Sequence, residues 1–229
     1  MKRFSLLAVC VIAALGFSAL GIWQLERLAW KRDLIGRVES RVGAAPVPLP
    51  GAAEWPRVNA RDHEYRRVRL TGVFRHDRVT LVDALTERGP GFWVLTPLAA
   101  EQGTVLVNRG FVPADRRNDY ARPEGPVALT GLLRLPEPGG RFLRPNRPDA
   151  DLWYSRDVAA IAAARGLGSV APFFVDAERG SRDAYPIGGL TVVRFRNAHL
   201  GYALTWLALA GMALFGAWRL LFDRTERRR

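Results

Sequence analysis

The chain has 229 residues and a formal net charge of +12, and only two of its basic residues, Lys2 and Lys31, are lysines. A single cysteine, Cys10, excludes a disulfide framework, a CxxC redox pair and a Cys-based metal site within the chain. The arginines are scattered rather than gathered on one helix or face. The charge therefore reads as solvated strand faces and attraction to membrane lipids, with no nucleic acid required.

Met1-Lys2-Arg3 is a basic start, and Phe4–Trp23 follows as twenty residues without a charge. The run is longer than a signal-peptide core, and no A-x-A-like site closes it. It continues as WQLERLAWKRDLIGRVES, which keeps a helical period through Leu25, Leu28, Leu34 and Ile35. This predicts a signal anchor whose helix extends past the membrane, with Trp23 and Trp30 in the interfacial belt. Cys10 reads as a small hydrophobe inside the span.

Gly43–Glu64 carries Pro46, Pro48, Pro50 and Pro56 and reads as an extended arm or linker. Tyr65–Phe74 alternates Arg67, Arg69 and Thr71 with Val68 and Leu70, the period of a half-buried strand. Arg78–Asp83, Phe92–Leu98, Thr104–Val112 and Val127–Leu135 are further strand candidates, with Gly89-Pro90-Gly91 as a turn signal. Close spacing without intervening helices predicts antiparallel meanders. Pro136–Ala150 is a long loop, and Asp157–Arg165 a short helix with Ser155 or Asp157 as N-cap and Gly166 beyond its end. Val170–Asp176 and Leu190–Arg196 are the last strand candidates.

Asn197–Trp218 is again free of formal charge, and its 22 residues would make a helix of about 33 Å, enough to cross a bilayer. The expected boundaries are thus a tail at 1–3, a span at 4–23, a helical extension and Pro-rich arm at 24–64, a β-rich domain at 65–196, a span at 197–218 and a basic tail at 219–229. The predicted fold class is two transmembrane α-helices flanking a β-rich α+β extramembrane domain, an antiparallel sandwich or partly closed barrel with one short helix. Seven basic residues lie in the two tails, which predicts both termini cytoplasmic and the central domain periplasmic, in a bacterial inner membrane.

Chemistry is sparse. His63 and His76 match no metal-ligand spacing, no GxSxG is present, and nothing argues for an enzyme. His199, Tyr202 and Trp206, spaced i, i+3 and i+7, share one face at the start of the second span. An ionisable residue in that position is a functional candidate. Gly110 reads as a bulge or a close backbone approach, and Arg109 as an ion-paired residue within the domain, with partner docking as the alternative.

LGIWQLERLAWKRDLI (Leu20–Ile35), GPGFWVLTPL (Gly89–Leu98), VLVNRGFVP (Val105–Pro113) and RNAHLGYALTWLALA (Arg196–Ala210) together resemble the signature stretches of the surfeit locus protein one family. The resemblance implies an assembly factor for cytochrome c oxidase that assists maturation of subunit I. It also implies haem a as a transient ligand and haem A synthase as a further partner. His199 is then the candidate axial ligand, flanked by Tyr202 and Trp206, with Arg27 placed for a haem propionate or for the oxidase subunit. The alternative is a membrane scaffold that stabilises an assembly intermediate and binds no cofactor, in which His199 and its neighbours anchor the helix or pack it. The position of His199 suits both.

Overall fold

The computed structural model of the protein describes residues 2–141, 143–180, 184–191 and 197–222. The chain divides into two compact units, one formed by its two ends and one by residues 38–192.

The terminal unit holds α3 (His199–Phe222) and α1 (Lys2–Gly43) as far as Arg37, and both helices are long and apolar enough to cross a membrane by length and composition. Buried residues recur every seven positions on each: Ala14, Gly21 and Leu28 on α1, and Ala203, Ala210 and Ala217 on α3. A seven-residue period of mostly small side chains lets two helices approach closely along one seam, the packing that substitutes for hydrophobic drive in lipid. The helices run antiparallel. Gln24 meets His199, Phe17 stacks on Trp206 with ring centroids 5.7 Å apart, and a Cβ at Gly216 would come within 3.6 Å of the Cys10 sulfur. Many large apolar side chains of the pair, such as Ile12, Leu15, Leu204 and Phe215, are exposed.

The central unit is a closed barrel. Its strands are β1 (Val47–Pro48), β2 (Arg67–Phe74), β3 (Thr80–Thr86), β4 (Gly89–Ala100), β5 (Gly103–Pro113), β6 (Pro126–Arg134) and β7 (Val170–Ala177). The sheet order is β1-β2-β6-β7-β5-β4-β3, and an added β2–β4 pairing closes the ring β2-β6-β7-β5-β4. The long strand β4 makes closure possible by offering one edge to two partners: Gly89–Leu95 pairs with β3, and Leu98–Ala100 with β2. At that seam Gly72 lies opposite Ala100, and a Cβ there would strike the Ala99 carbonyl.

The interior is filled by Val68, Leu70, Leu98, Val105, Val107, Leu133, Phe173 and Val175, contributed by all five barrel strands. A second cluster, with Val82, Leu95, Leu106, Trp153 and Phe174, lies beneath α2 (Val158–Arg165), so β5 and β7 are buried on both faces. The side chain of Asp157 caps α2 by accepting from the Ala160 N–H, and Gly166 ends it in the left-handed region at φ +60°.

Three expectations change. The strands are not all antiparallel: β5 pairs parallel with β7, and β1 parallel with β2. The long excursion through α2 returns the chain to the end from which β5 starts, so β7 enters alongside it. Gly89-Pro90-Gly91 is not a turn but the start of β4, and the hairpin turns at Glu87-Arg88 between the paired Thr86 and Gly89. The Pro-rich arm is packed rather than free, for Leu49 is buried and Trp55 sits edge-on to Phe173 at 6.5 Å. The strand expected at Leu190–Arg196 falls mostly on 192–196, outside the described residues.

A Gly72→Val substitution should destabilise the barrel by about 1–3 kcal/mol, because the obstacle at the closure seam is backbone that cannot rotate away. Gly51→Ala, where a Cβ would meet open space, should stay within about 0.5 kcal/mol of wild type. Urea unfolding of the detergent-solubilised chain checks both.

Candidate functional site

The first residue of α3 is His199, which is half-buried on the seam with α1. Its Nδ1 lies 2.7 Å from Gln24 Oε1. An amide oxygen only accepts, so Nδ1 carries a proton in this contact, and in that tautomer of an uncharged imidazole the lone pair lies on Nε2. Nε2 makes no hydrogen bond among the described residues. A carbonyl oxygen that holds the far N–H of an imidazole is the arrangement found behind histidine metal ligands, since it fixes both tautomer and ring direction. The donor set therefore fits an iron ligand.

The other residues predicted for this site divide. Trp206 lies one seven-residue step from His199 and is committed to its stack on Phe17. Tyr202 is 56 % exposed and stands on the flank of the seam. The Arg27 guanidinium covers Trp30 of its own helix, 3.9 Å from the ring centroid, and no hydrogen bond joins it to His199. The structure thus gathers His199, Gln24, Phe17 and Trp206 along one seam, with Tyr202 and Arg27 at its margin. Gln24 makes the polar link between the two helices, and Phe17 on Trp206 the aromatic one.

A second cluster lies in the barrel domain. In the parallel register Asn108 of β5 is directly opposite Asp176 of β7, so their side chains share a face. Asp176 is 4 % exposed and accepts four side-chain hydrogen bonds: from Asn108 Nδ2 at 2.8 Å, Thr191 Oγ1 at 2.9 Å, and Arg134 Nη1 and Arg156 Nη1 at 3.1 Å each. Arg156 also grips Glu137, through Nε at 3.1 Å and Nη2 at 2.5 Å. Arg134 forms a looser ion pair with Glu64 at 3.5 Å, too long for a hydrogen bond. Burial by itself would raise the Glu137 carboxyl, but the hydrogen bond and charge of Arg156, with Arg134 behind it, outweigh that and hold it below its ordinary value. Burial likewise opposes the charge on Arg156, and Asp176 and Glu137 overcome it, so its guanidinium is raised.

Directly after Asn108 the ladder slips, with Leu95 opposite Asn108 but Trp93 opposite Phe111, which makes Arg109-Gly110 a bulge. Gly110 sits at φ +128°, its N–H donates to Asn108 Oδ1 at 3.2 Å, and a Cβ would strike the Ile187 carbonyl. Both roles expected for this glycine are present. Arg109 is not ion-paired: no carboxylate reaches it among the described residues. It donates to the Ala121 carbonyl and lies over Phe74, its Cζ 4.9 Å from the ring centroid. Burial lowers its pKa, Tyr120 opposes that shift and Arg122 adds to it.

Asp176 and Arg134 were not marked by any sequence motif, and Arg156, within the family-like stretch WYSRDVAAIA, carried no assigned role. They converge only through the β5–β7 register and the return loop, over separations of 20 to 68 residues.

Comparison with known proteins follows the same boundaries. The model of the SURF1 family matches residues 11–211, a span that includes the barrel, most of α1 and the first half of α3. Surfeit locus protein 1 of Rattus norvegicus is 37 % identical over 228 residues, covering 90 % of this chain and 72 % of its own. The Homo sapiens protein of the same name is 38 % identical over 214 residues, 83 % of this chain and 69 % of its own. A SURF1-like protein of Drosophila melanogaster is 32 % identical over 230 residues, 90 % of this chain and 74 % of its own.

Asp176→Ala should cost about 1–3 kcal/mol in urea unfolding, since it takes the shared acceptor from two part-buried arginines that keep only Glu137 and Glu64. Glu137 adds a pH dependence whose sign follows from its lowered pKa. Its stabilisation is complete above the ordinary value of 4.5 and is lost as pH falls through the lower folded value. Glu137→Gln should therefore flatten the stability profile in that acid range and nowhere above it.

Proposed function

The chain belongs to the SURF1 family, and on that basis we propose that it is an assembly factor for cytochrome c oxidase, anchored in a membrane by α1 and α3. It assists haem a insertion into subunit I or a neighbouring step of that subunit's maturation, with haem a as cargo rather than resident cofactor. Haem A synthase would supply the cargo, and subunit I would receive it. The observation that carries this reading is the Gln24–His199 hydrogen bond, which leaves Nε2 bare at the end of a candidate span.

Within this reading each side chain has a defined task. Gln24 holds Nδ1 and fixes the direction of the imidazole ring. His199 Nε2 offers the lone pair that haem iron takes as an axial ligand. Phe17 and Trp206 close the seam below and keep the helices at one separation, while Tyr202 offers an exposed ring on the flank. Arg27 sits one turn beyond Gln24, where its cation can meet a propionate on leaving Trp30. With both basic tails cytoplasmic, this end of the pair faces the periplasm of a bacterial inner membrane.

A second reading is supported by a specific observation. Trp206 and Arg27 already have aromatic partners in Phe17 and Trp30, as residues of a packing scaffold would. In that case the chain stabilises an assembly intermediate without holding haem.

Complementation separates the two. In cells lacking the endogenous protein, His199→Ala and Gln24→Ala should each lower the haem a content of isolated subunit I while the chain still accumulates in the membrane. Wild-type haem a content in both variants would leave only the scaffold. Reporter fusions at Arg229 should score as cytoplasmic.

A further inference from the structure

The barrel domain contains a cavity of about 490 Å³ beside the β3–β4 hairpin tip and the segment 189–191. One part of its lining is apolar, with Leu85, Trp93 and Leu190; another holds Arg88, Arg134 and Asp176. The hydrogen-bonding capacity of that lining is lopsided. Asp176 accepts four side-chain donors on its two oxygens and so has no lone pair left to offer. Arg156 directs Nε, Nη1 and Nη2 at Asp176 and Glu137. Arg134, in contrast, uses only Nη1 in hydrogen bonding, and its Nη2 has no partner among the described residues. The Arg88 guanidinium, exposed at the hairpin tip, has none either; only its backbone N–H is engaged, with Thr86 Oγ1 at 3.1 Å.

Two guanidinium groups with unused donors therefore meet an apolar wall that includes Leu85, which is 72 % exposed. The acidic groups of the lining are Asp176, already saturated, and Glu87 at the rim. From outside the lining Glu137 engages Arg156 and Glu64 lies near Arg134, so Arg88 is the lining arginine with no carboxylate partner among the described residues. It lacks an anionic acceptor, and a guanidinium fork matches a planar carboxylate in particular. The volume lies in the range of ordinary small-molecule sites, about 300–1,000 Å³.

We propose that this cavity binds a small organic carboxylate with an apolar body, its head group on Arg88 and Arg134 and its body against Leu85, Trp93 and Leu190. The site is built from barrel residues alone and does not depend on the iron-ligand reading of His199.

The test uses the full chain in a non-ionic detergent, titrated calorimetrically with 3-phenylpropanoate. The isosteric neutral 3-phenylpropanamide controls for shape, and acetate for charge alone. Saturable binding of the carboxylate is expected, at least about tenfold tighter than either control, as one charge-assisted contact requires. Arg88→Gln should weaken it about tenfold, Arg88→Lys should restore part of the loss, and Leu190→Trp should block it by filling the cavity. Should Leu190→Trp fail to fold, Arg88→Gln decides alone, because Arg88 is exposed and its thermal unfolding should match wild type. No saturable binding, equal affinity for the amide, or unchanged affinity in a folded Arg88→Gln variant would each overturn the proposal.

Discussion

The parallel pairing of β5 with β7 is the constraint on which the central domain depends. It closes the last gap between the β2-β6 side of the ring and the β4 side, and it is the one register that sets Asn108 against Asp176. A carboxylate at 4 % exposure is tolerable only if its charge is met, and here two arginines, an asparagine and a threonine meet it. Those donors come from β5, β6, the segment before α2 and the segment after β7. One buried charge thus ties together parts of the chain that hydrophobic packing alone would leave free to slide. Arg109 and Gly110 follow as consequences: the ladder must slip after Asn108, and the glycine lets Ile187 bring its loop against the strand, where it exchanges backbone hydrogen bonds with Phe111.

The helix pair obeys a different rule. Its seam is made of small residues, one aromatic stack and one polar contact, a combination that can join helices where hydrophobic burial offers no reward. Ala14, Gly21, Ala203, Ala210 and Ala217 bring the backbones close, and Gln24 with His199 supplies the polar link. That link also decides what His199 can do. A ring held through Nδ1 cannot turn freely, and its remaining nitrogen points in a fixed direction. Anchoring and ligation are then competing uses of the same geometry, and the stack of Trp206 on Phe17 supports the helix pair in either case.

Much of this was legible in the sequence. The alternation of Val68 and Leu70 against Arg67, Arg69 and Thr71 marks β2 with its buried face, because a period of two has one structural meaning. The Asp157 cap and Gly166 frame α2 within a residue. The two apolar runs name both long helices, and alanines seven apart at 203, 210 and 217 carry the seam for a reader who counts in sevens. What stayed hidden depends on distant pairing. No local pattern says that β7 runs parallel to β5, and so none identifies Asp176 as the partner of Asn108, Arg134 and Arg156. Gly89-Pro90-Gly91 misled for a related reason, since turn-forming residues were used to start a strand whose edge is shared between two neighbours. Arg109 misled as well: an arginine in a strand invites an ion pair, but an aromatic ring and a backbone carbonyl satisfy it here.

The account stands most directly on whether the helix pair holds haem through His199. The decisive measurement is the visible absorption spectrum of the full chain purified from cells that make haem a. A haem Soret band that is lost in His199→Ala, and weakened in Gln24→Ala with both variants still folded, is the result predicted. A haem-free wild-type protein, or a band of undiminished intensity in His199→Ala, would contradict it.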